Sequence, residues 1–297
     1  MTDVRLAQPV RSLGGRSIDF SRRIAVMAIV NRTPDSFYDR GATFALDAAI
    51  GRGMDAAAAG ADIVDVGGVP FAPGPALPID EEIARVVPVV EALAPVVAVS
   101  VDTFHPEVAR AAIDAGASII NDTTGLRDPR MADVVADSDA TIVIAHSLAA
   151  PRTQHPLPQY GDVVREVVDF LRTRRDLALS RGVPSERVVL DPGHDLNKNT
   201  RHSLELTRRF DEFAGLGTVL LVALSNKDFI GESLDRARGE RLAGSLAAAV
   251  WCVTHGANIV RAHHVSETVD AVRMIEAIRG WRDPAYLLHN MRPDGNG

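Results

Sequence analysis

The chain has 297 residues, of which 46% are apolar and 24% charged, and this ordinary globular composition can bury a sizeable core. Its 32 basic and 39 acidic residues give a formal net charge of −7, which argues against nucleic acid or an anionic membrane as the main partner. The single cysteine, Cys252, excludes a disulfide framework and a cysteine metal site. We expect a cytoplasmic protein, because no apolar run suits a membrane span and residues 1–15 lack the apolar core of a signal peptide.

The N-terminal segment, residues 1–23, carries Gly14 and Gly15 between short apolar stretches, which predicts a hairpin across the bottom of the fold. From residue 24 onward, short β-branched runs alternate with longer stretches at helical spacing, and the short runs are nearly continuously apolar, as in strands buried on both faces. The predicted strands are residues 24–30, 63–67, 96–101, 118–121, 141–145, 188–191, 218–223 and 259–262. The predicted helices are residues 46–59, 80–93, 106–115, 130–137, 162–181, 200–212, 240–254 and 266–279.

Helix ends carry suitable residues. Asp80 and Asp162 stand where N-caps are expected. Glycine follows four of the helices, where a left-handed residue is favoured, at Gly60, Gly116, Gly182 and Gly256.

This repeated alternation predicts an α/β fold, a closed (βα)8 TIM barrel with a short N-terminal hairpin-like extension. An open doubly wound sheet is the alternative, but no G-x-G-x-x-G follows the first strand. We expect an extension over residues 1–23, one barrel over 24–281 and a polar tail over 282–297, with no linker between domains.

Polar side chains stand where the predicted strands end. In a (βα)8 barrel these ends share the face that carries the chemistry, and carboxylates there are costly to bury without a partner. Several together favour a polar ligand, although the structural alternative, in which they satisfy one another, stays open. The candidates are Asn31, Asp65, Asp102, Asn121, His146, Asp191, Ser225, Lys227, Arg261 and His263.

The candidates divide into two chemistries. Four of them suit the donor and acceptor edge of a flat heterocycle, namely Asp102, Asn121, Asp191 and Lys227. Three others suit a phosphate or a metal–phosphate complex near the last and first strands, namely Asn31, Arg261 and His263. No His, Asp or Glu cluster has the spacing of a dedicated metal site, so a Mg²⁺ ion would be shared with substrate phosphate.

A series of short motifs occurs in order along residues 11–279, at the ends of the predicted strands. They are Asn31 with residues 33–37 (TPDSF), residues 65–68 (DVGG), 100–103 (SVDT), 120–122 (IND) and 191–193 (DPG), Ser225 with Lys227, and Arg261 with His263. With these motifs the chain resembles a dihydropteroate synthase, within the wider family of pterin-binding barrels. That family joins a pterin alcohol diphosphate to p-aminobenzoate and releases pyrophosphate.

The resemblance implies a role for each site residue. The pterin would be held by Asp102, Asn121, Asp191 and Lys227. The aminobenzoate carboxylate would dock at Ser225 and Lys227. Catalysis, through diphosphate binding and loop closure, would fall to Asn31, Asp35, Arg261 and His263, with Asn31 also a ligand of Mg²⁺.

The chain departs from the family mainly in its loops. The second loop of the family reads Gly-Gly-Glu-Ser-Thr-Arg-Pro-Gly, whereas residues 67–74 read GGVPFAPG, so its Thr and Arg are Phe71 and Ala72. Residues 195–198 read DLNK in place of Gly-Phe-Gly-Lys, and Asn226 replaces an Arg. Arg32 or Arg40 in the first loop is a candidate replacement for the lost cation.

We therefore expect a divergent paralogue with weakened pterin diphosphate binding, little or no synthase activity and residual affinity for aminobenzoate-like sulfones. The alternatives are a slow but active synthase with rearranged loops, a non-catalytic partner or regulatory barrel, and a methyl-folate-binding methyltransferase barrel. We expect a homodimer, with the helices of residues 200–279 as the candidate contact surface.

Overall fold

The computed structural model describes residues 6, 8–31, 42–69, 71–154 and 157–290. The strands are β1 (Val10–Leu13), β2 (Arg16–Asp19), β3 (Ala25–Asn31), β4 (Ile63–Gly67), β5 (Ala98–Asp102), β6 (Ile119–Asp122), β7 (Thr141–Ala145), β8 (Val188–Asp191), β9 (Val219–Ala223) and β10 (Ile259–Ala262). The helices are α1 (Ala42–Ala58), α2 (Ile79–Leu93), α3 (Pro106–Asp114), α4 (Arg130–Ala136), α5 (Val163–Ser180), α6 (Thr200–Arg208), α7 (Asp211–Ala214), α8 (Asp228–Leu234), α9 (Leu242–Thr254) and α10 (Val265–Ile278).

Within the described residues, the strands from β3 to β10 close into a parallel barrel in the order β10-β3-β4-β5-β6-β7-β8-β9. Side chains alternate along each strand between the barrel interior and the helices. In β3, Met27 packs inside with Ile63 and Ile119, whereas Val26 and Val30 pack outward in the layer under the helices. The predicted (βα)8 fold is confirmed.

The N-terminal hairpin closes the bottom of the barrel. β1 and β2 pair antiparallel, and the turn between them holds Gly14 and Gly15 at positive φ. Leu13, Ile18 and Phe20 are buried against the inward side chains of the barrel strands. The predicted hairpin is thus confirmed, and the opposite end of the barrel, where the strands end, is left for a site.

Helix ends match the sequence in part. The Asp162 carboxylate accepts hydrogen bonds from the backbone N–H groups of Val164 and Arg165, as expected of an N-cap. Gly60, Gly116, Gly182 and Gly256 all adopt positive φ, as predicted. The prediction for Asp80 was wrong, because α2 begins one residue earlier behind Pro78 and has no side-chain cap.

Two helical predictions were wrong in detail. The predicted helix 200–212 is broken after Arg208, and the short α7 follows, which brings both Phe210 and Phe213 into the core. The helix α8 was missed because seven residues are too few to display a helical period, and it ends at Asp235 in a left-handed conformation. Within the described part of the chain, no helix is both long and apolar enough to cross a membrane.

Candidate functional site

The end of the barrel opposite the hairpin, here called the mouth, collects the polar residues that finish the strands. Parallel pairing places β4, β5 and β6 in register, so Gly67 lies beside Asp102 and Asp102 beside Asn121. Asp65 is fully buried, Asn121 is nearly so, and the side chains of Asp102 and Arg261 are 21% and 17% exposed. The mouth therefore has a buried polar floor with an accessible rim.

Four of these side chains form one connected network. Arg261 donates from Nε to Asp65 Oδ2 at 2.7 Å and from a terminal nitrogen to Asp102 Oδ2 at 3.3 Å. Asn121 Nδ2 donates to the same Asp65 oxygen at 3.1 Å. The other oxygen, Asp65 Oδ1, is buried without a hydrogen-bond partner among the described residues. The floor thus offers acceptor oxygens beside one shared guanidinium.

The carboxyl groups of the floor hold protons more strongly than free carboxyls. Burial, with the nearby charge of Asp65, raises the pKa of Asp102 to about 7, although Arg261 opposes the rise. Burial also raises the pKa of Asp191. Burial lowers the pKa of Arg261, but Asp65 and Asp102 outweigh it and hold the guanidinium charged. Asp102 can therefore both accept and donate a proton near neutral pH, which suits a heterocycle that presents N–H and lone-pair groups on one edge.

Asp191 and Lys227 lie on neighbouring strand ends and are joined through the loop after β8. Asp191 Oδ1 accepts a hydrogen bond from Gly193 N at 2.8 Å, and Lys227 Nζ donates to the carbonyl oxygen of His194 at 2.8 Å. Burial lowers the pKa of Lys227, whereas Asp195 and Asp191 act to raise it. The loop after β8 thus holds the carboxylate of Asp191 and the ammonium of Lys227 close enough to influence each other, but they form no direct ion pair.

Ser225 and His263 form a pair at the rim. The backbone N–H of His263 donates to Ser225 Oγ at 3.2 Å, and His263 Nδ1 lies 3.2 Å from the same oxygen. Partial burial of the ring and the charge of Arg261 lower the pKa of His263 to about 4. The imidazole is therefore neutral at pH 7, so His263 would meet a phosphate as a neutral hydrogen-bonding group and not as the cation that the sequence suggested.

Several buried polar residues at the mouth were missed as site residues. Glu82 lies on the buried face of α2, one turn before Val86, where it accepts a hydrogen bond from Thr103 Oγ1 at 2.7 Å. Burial raises the pKa of Glu82, and its charge also acts to raise that of Asp102. The helical spacing of Glu82 with Val86, Val89 and Val90 was the signal that could have found it.

A second buried group lies within the loop after β8 and contacts His146 after β7. Lys198 Nζ donates to the carbonyl oxygens of Gly193 and Leu196 at 2.8 and 2.9 Å and lies 2.8 Å from His146 Nδ1. Burial lowers the pKa of Lys198 to about 7 and that of His146 far below its usual value. The ring nitrogens of His194 are buried without a partner among the described residues.

The altered residues at 195 and 226 are structurally accommodated. The Asp195 carboxylate accepts from Ser203 Oγ at 2.8 Å and from Asp228 N at 2.7 Å, which ties the loop after β8 to α6 and α8. Asn226 takes a positive φ, and its carbonyl oxygen accepts from Arg241 at 2.9 Å. The carboxylate introduced at 195 is thus engaged in loop contacts.

Some predicted site residues cannot be placed. Arg32, Asp35 and Arg40 lie outside the described residues, and Asn31 is described only as the last residue of β3. Among the residues that the structure describes, no group of three or more His, Cys, Asp or Glu side chains is arranged to hold a metal ion.

Comparison with known proteins agrees with this geometry. The pattern of the family described as "Pterin binding enzyme" matches residues 27–263. A Mycobacterium leprae protein called inactive dihydropteroate synthase 2 is 44% identical over 94% of this chain and 98% of its own length. The Escherichia coli dihydropteroate synthase is 41% identical over 89% of this chain and 94% of its own length. The structure of Xanthomonas albilineans dihydropteroate synthase with 4-aminobenzoic acid is 39% identical, covers 92% of this chain and 99% of that one, and superposes with a TM-score of 0.85. The chain therefore belongs to the pterin-binding enzymes, and among them to the dihydropteroate synthase family.

Proposed function

We propose that this protein binds a pterin in the barrel mouth and has little or no dihydropteroate synthase activity. The observation that supports pterin binding is one hydrogen-bonded network, formed by Asp65, Asp102, Asn121 and Arg261. A pterin presents a cyclic guanidine edge of N–H donors, and the partly exposed, protonatable Asp102 is a complementary acceptor for it, with the fully buried Asp65 carboxylate behind. Asp191 and Lys227 complete the pterin contacts in this proposal.

The weak turnover in this proposal follows from the second loop. Pyrophosphate departs with growing negative charge, and the family's loop-two Thr and Arg are Phe71 and Ala72 here. A single lost donor to developing charge costs roughly 3–4 kcal/mol of transition-state stabilisation, which corresponds to a rate loss of about 10²–10³-fold. A supporting comparison is the similar Mycobacterium leprae protein that is called inactive.

The remaining roles are part of the same proposal. Asn31 would contribute an amide oxygen to Mg²⁺, an ion that keeps most of its other contacts with water and substrate phosphates. Asp35 would close the first loop, and Arg32 or Arg40 would supply part of the lost charge. Ser225 with Lys227 would receive an aminobenzoate or sulfone group.

Titration with free pterin, followed by its fluorescence, tests the binding half. We expect saturable binding by the native chain and at least tenfold weaker binding by Asn121→Ala, which removes an amide from the floor. Asp114→Asn is the matched control, because this carboxylate is exposed at the end of α3, and it should bind as the native chain does. The absence of saturable binding, or equal affinities for the native chain and Asn121→Ala, would contradict the proposal.

A slow but active synthase is the second candidate, favoured by the 41% identity to the Escherichia coli enzyme. The double variant Phe71→Thr with Ala72→Arg separates the two readings, with Phe71→Thr with Ala72→Gln as the uncharged control. A rate gain of about 100-fold in pyrophosphate release, confined to the Arg variant, supports a damaged synthase. No gain at unchanged pterin affinity supports a binding role.

Pairing and location complete the proposal. Trp251, Met274 and Ile278 expose apolar surface on α9 and α10, which supports a homodimer or a protein partner at these helices. The single buried thiol of Cys252 is compatible with a reducing cytoplasm. Sedimentation of the purified chain tests the homodimer.

A further inference from the structure

Two loops at the mouth are joined by one arginine. The first, called loop two, follows β4 and includes the described residues 68, 69 and 71–78. The second, called loop five, follows β7 and includes the described residues 146–154 and 157–162. Arg152 of loop five is the residue that reaches loop two with both its backbone and its side chain.

The guanidinium of Arg152 is bound to backbone oxygens of loop two. Its Nη1 donates to Ala72 O at 2.7 Å, while Nε and Nη2 both donate to Pro75 O at 3.1 and 2.9 Å. The backbone adds a second connection, since Arg152 N donates to Phe71 O at 3.1 Å and Gly74 N donates to Arg152 O at 3.3 Å. Charge-assisted bonds of this kind are stronger than neutral ones, and the planar fork of arginine fixes their geometry.

The backbone of Arg152 is held in a conformation that such residues seldom adopt. Its φ is +61°, in the left-handed region that disfavours side chains with a Cβ. A strained backbone conformation persists when surrounding contacts impose it. The hydrogen bonds between Arg152 and loop two hold its backbone in this conformation.

Gly74 supplies the space for the guanidinium. A Cβ at this position would lie 2.2 Å from Nη2 of Arg152, too close for both groups to remain in place. Gly74 does not have a positive φ, so alanine there meets the end of a flexible side chain and does not strain its own backbone.

The strand order shows what the joined loops cross. β4 and β7 are separated in the barrel by β5 and β6, so the connection between their loops must pass over the ends of those two strands. These ends carry Asp102 and Asn121. The contact between the two loops therefore spans the side of the mouth at which β5 and β6 end.

We propose that Arg152 is a clasp that holds loop two closed over the mouth, and that ligand passage to the Asp102–Asn121 floor depends on its release. The ligand in this inference rests on the proposed pterin binding, whereas the clasp itself rests only on the loop contacts. The altered residues Phe71 and Ala72 belong to the part of loop two that Arg152 of loop five holds through hydrogen bonds. Arg152 is a positioning residue for the lid.

Hydrogen exchange at the amides of Gly74 and Arg152 tests the clasp without any ligand. Arg152→Ala removes the fork, Arg152→Lys keeps the charge but loses the fork, and Gly74→Ala displaces the guanidinium from the loop-two side. All three should exchange at least fivefold faster than the native chain at these amides. Gly51→Ala is the matched control, because nothing lies within 4 Å of a Cβ there, and its exchange should equal the native rate. Unchanged exchange in both Arg152→Ala and Gly74→Ala overturns the clasp.

Stopped-flow mixing with free pterin tests the gate. Release of a lid should raise the association and dissociation rate constants together, each at least threefold, while the dissociation constant changes less than twofold. Accelerated exchange with unchanged pterin rates shows that the loops do not gate the floor and overturns the gating claim. If the native chain binds no pterin, the proposed function fails, and amide exchange alone then decides for or against the clasp.

Discussion

Arg261 lies between the carboxylates of Asp65, within β4, and Asp102, at the end of β5, and its two hydrogen bonds at 2.7 and 3.3 Å make them share one positive charge. One guanidinium does not fully compensate two buried carboxylates. Burial, followed by the negative charge of Asp65, raises the pKa of Asp102 to about 7. The floor therefore changes its charge, and its hydrogen-bonding pattern, near neutral pH.

This arrangement predicts a pH-dependent stability that belongs to Asp102. Its pKa is about 7 in the folded chain against 3.8 for the ordinary group. Between these values the folded protein retains a proton that the unfolded chain has released, so this contribution is present below pH 4 and is lost as the pH rises through 7. Asp102→Asn should gain stability relative to the native chain from pH 4.5 to 7.5, by at most about 4 kcal/mol at about 1.4 kcal/mol per pKa unit.

Chemical denaturation of both proteins across this pH range measures the difference. Ser100→Ala is the control, since it changes a buried neutral side chain of the same strand and should run parallel to the native chain. Parallel curves for Asp102→Asn and the native chain would show that Asp102 is already ionised in the folded protein at low pH.

The sequence was sufficient to predict which residue types line the site, but it did not predict all the contacts between them. Carboxylates at the ends of buried strands mark a polar site in any (βα)8 barrel, so Asp102, Asn121 and Asp191 could be singled out from the sequence. The pairing of Arg261 with Asp65 joins β10 and β4, which are separated by one strand in the barrel but by almost two hundred residues in the sequence, and local spacing contains no signal for such a contact. Glu82 lies in the first turn of the predicted helix over residues 80–93, where acidic residues are common, so its charge alone did not mark it as a site residue.

At the scale of elements, helix ends show where local sequence is decisive. Asn199 accepts a hydrogen bond from His202 N at 2.9 Å and forms a reciprocal capping box with that histidine at the start of α6. α6 directly follows the loop that carries Asp195 and Lys198, so its first turn supports that loop.

Asn199→Ala should therefore lower the free energy of unfolding by about 1 kcal/mol, as expected for the loss of an N-cap. Asp80→Ala is the comparison, because Asp80 makes no cap bond, and its effect should be clearly smaller. Urea denaturation measures both. Equal losses in the two variants would contradict the assignment of the cap.

Loops and short helices were the elements that sequence patterns described least well. α8 and the break between α6 and α7 depend on tertiary contacts, including the burial of Phe210 and Phe213. The clasp between Arg152 and loop two joins residues about eighty positions apart through backbone oxygens, which any sequence would offer. The side chains of Ala72 and Pro75 therefore could not be used to predict the contact between Arg152 and loop two.

For the whole molecule, the barrel separates stability from chemistry. The hairpin buries Leu13, Ile18 and Phe20 at one end, and the charged floor lies at the other. The strand and helix alternation was enough to predict this topology, because parallel strands buried on both faces have few other closed arrangements. In the proposed function, by contrast, a few side chains in the loops after β3 and β4 determine whether bound substrate reacts.

The proposed function combines a floor that still binds pterin with loops that no longer support the synthase reaction. Pyrophosphate release from pterin alcohol diphosphate, p-aminobenzoate and Mg²⁺ by the purified chain tests it most directly, with an active dihydropteroate synthase in the same assay. We predict release at least 100-fold slower than that of the active enzyme, since the loss of a single donor to developing charge costs about that much. Release at the rate of the active enzyme would contradict the claim and would identify the chain as a working synthase.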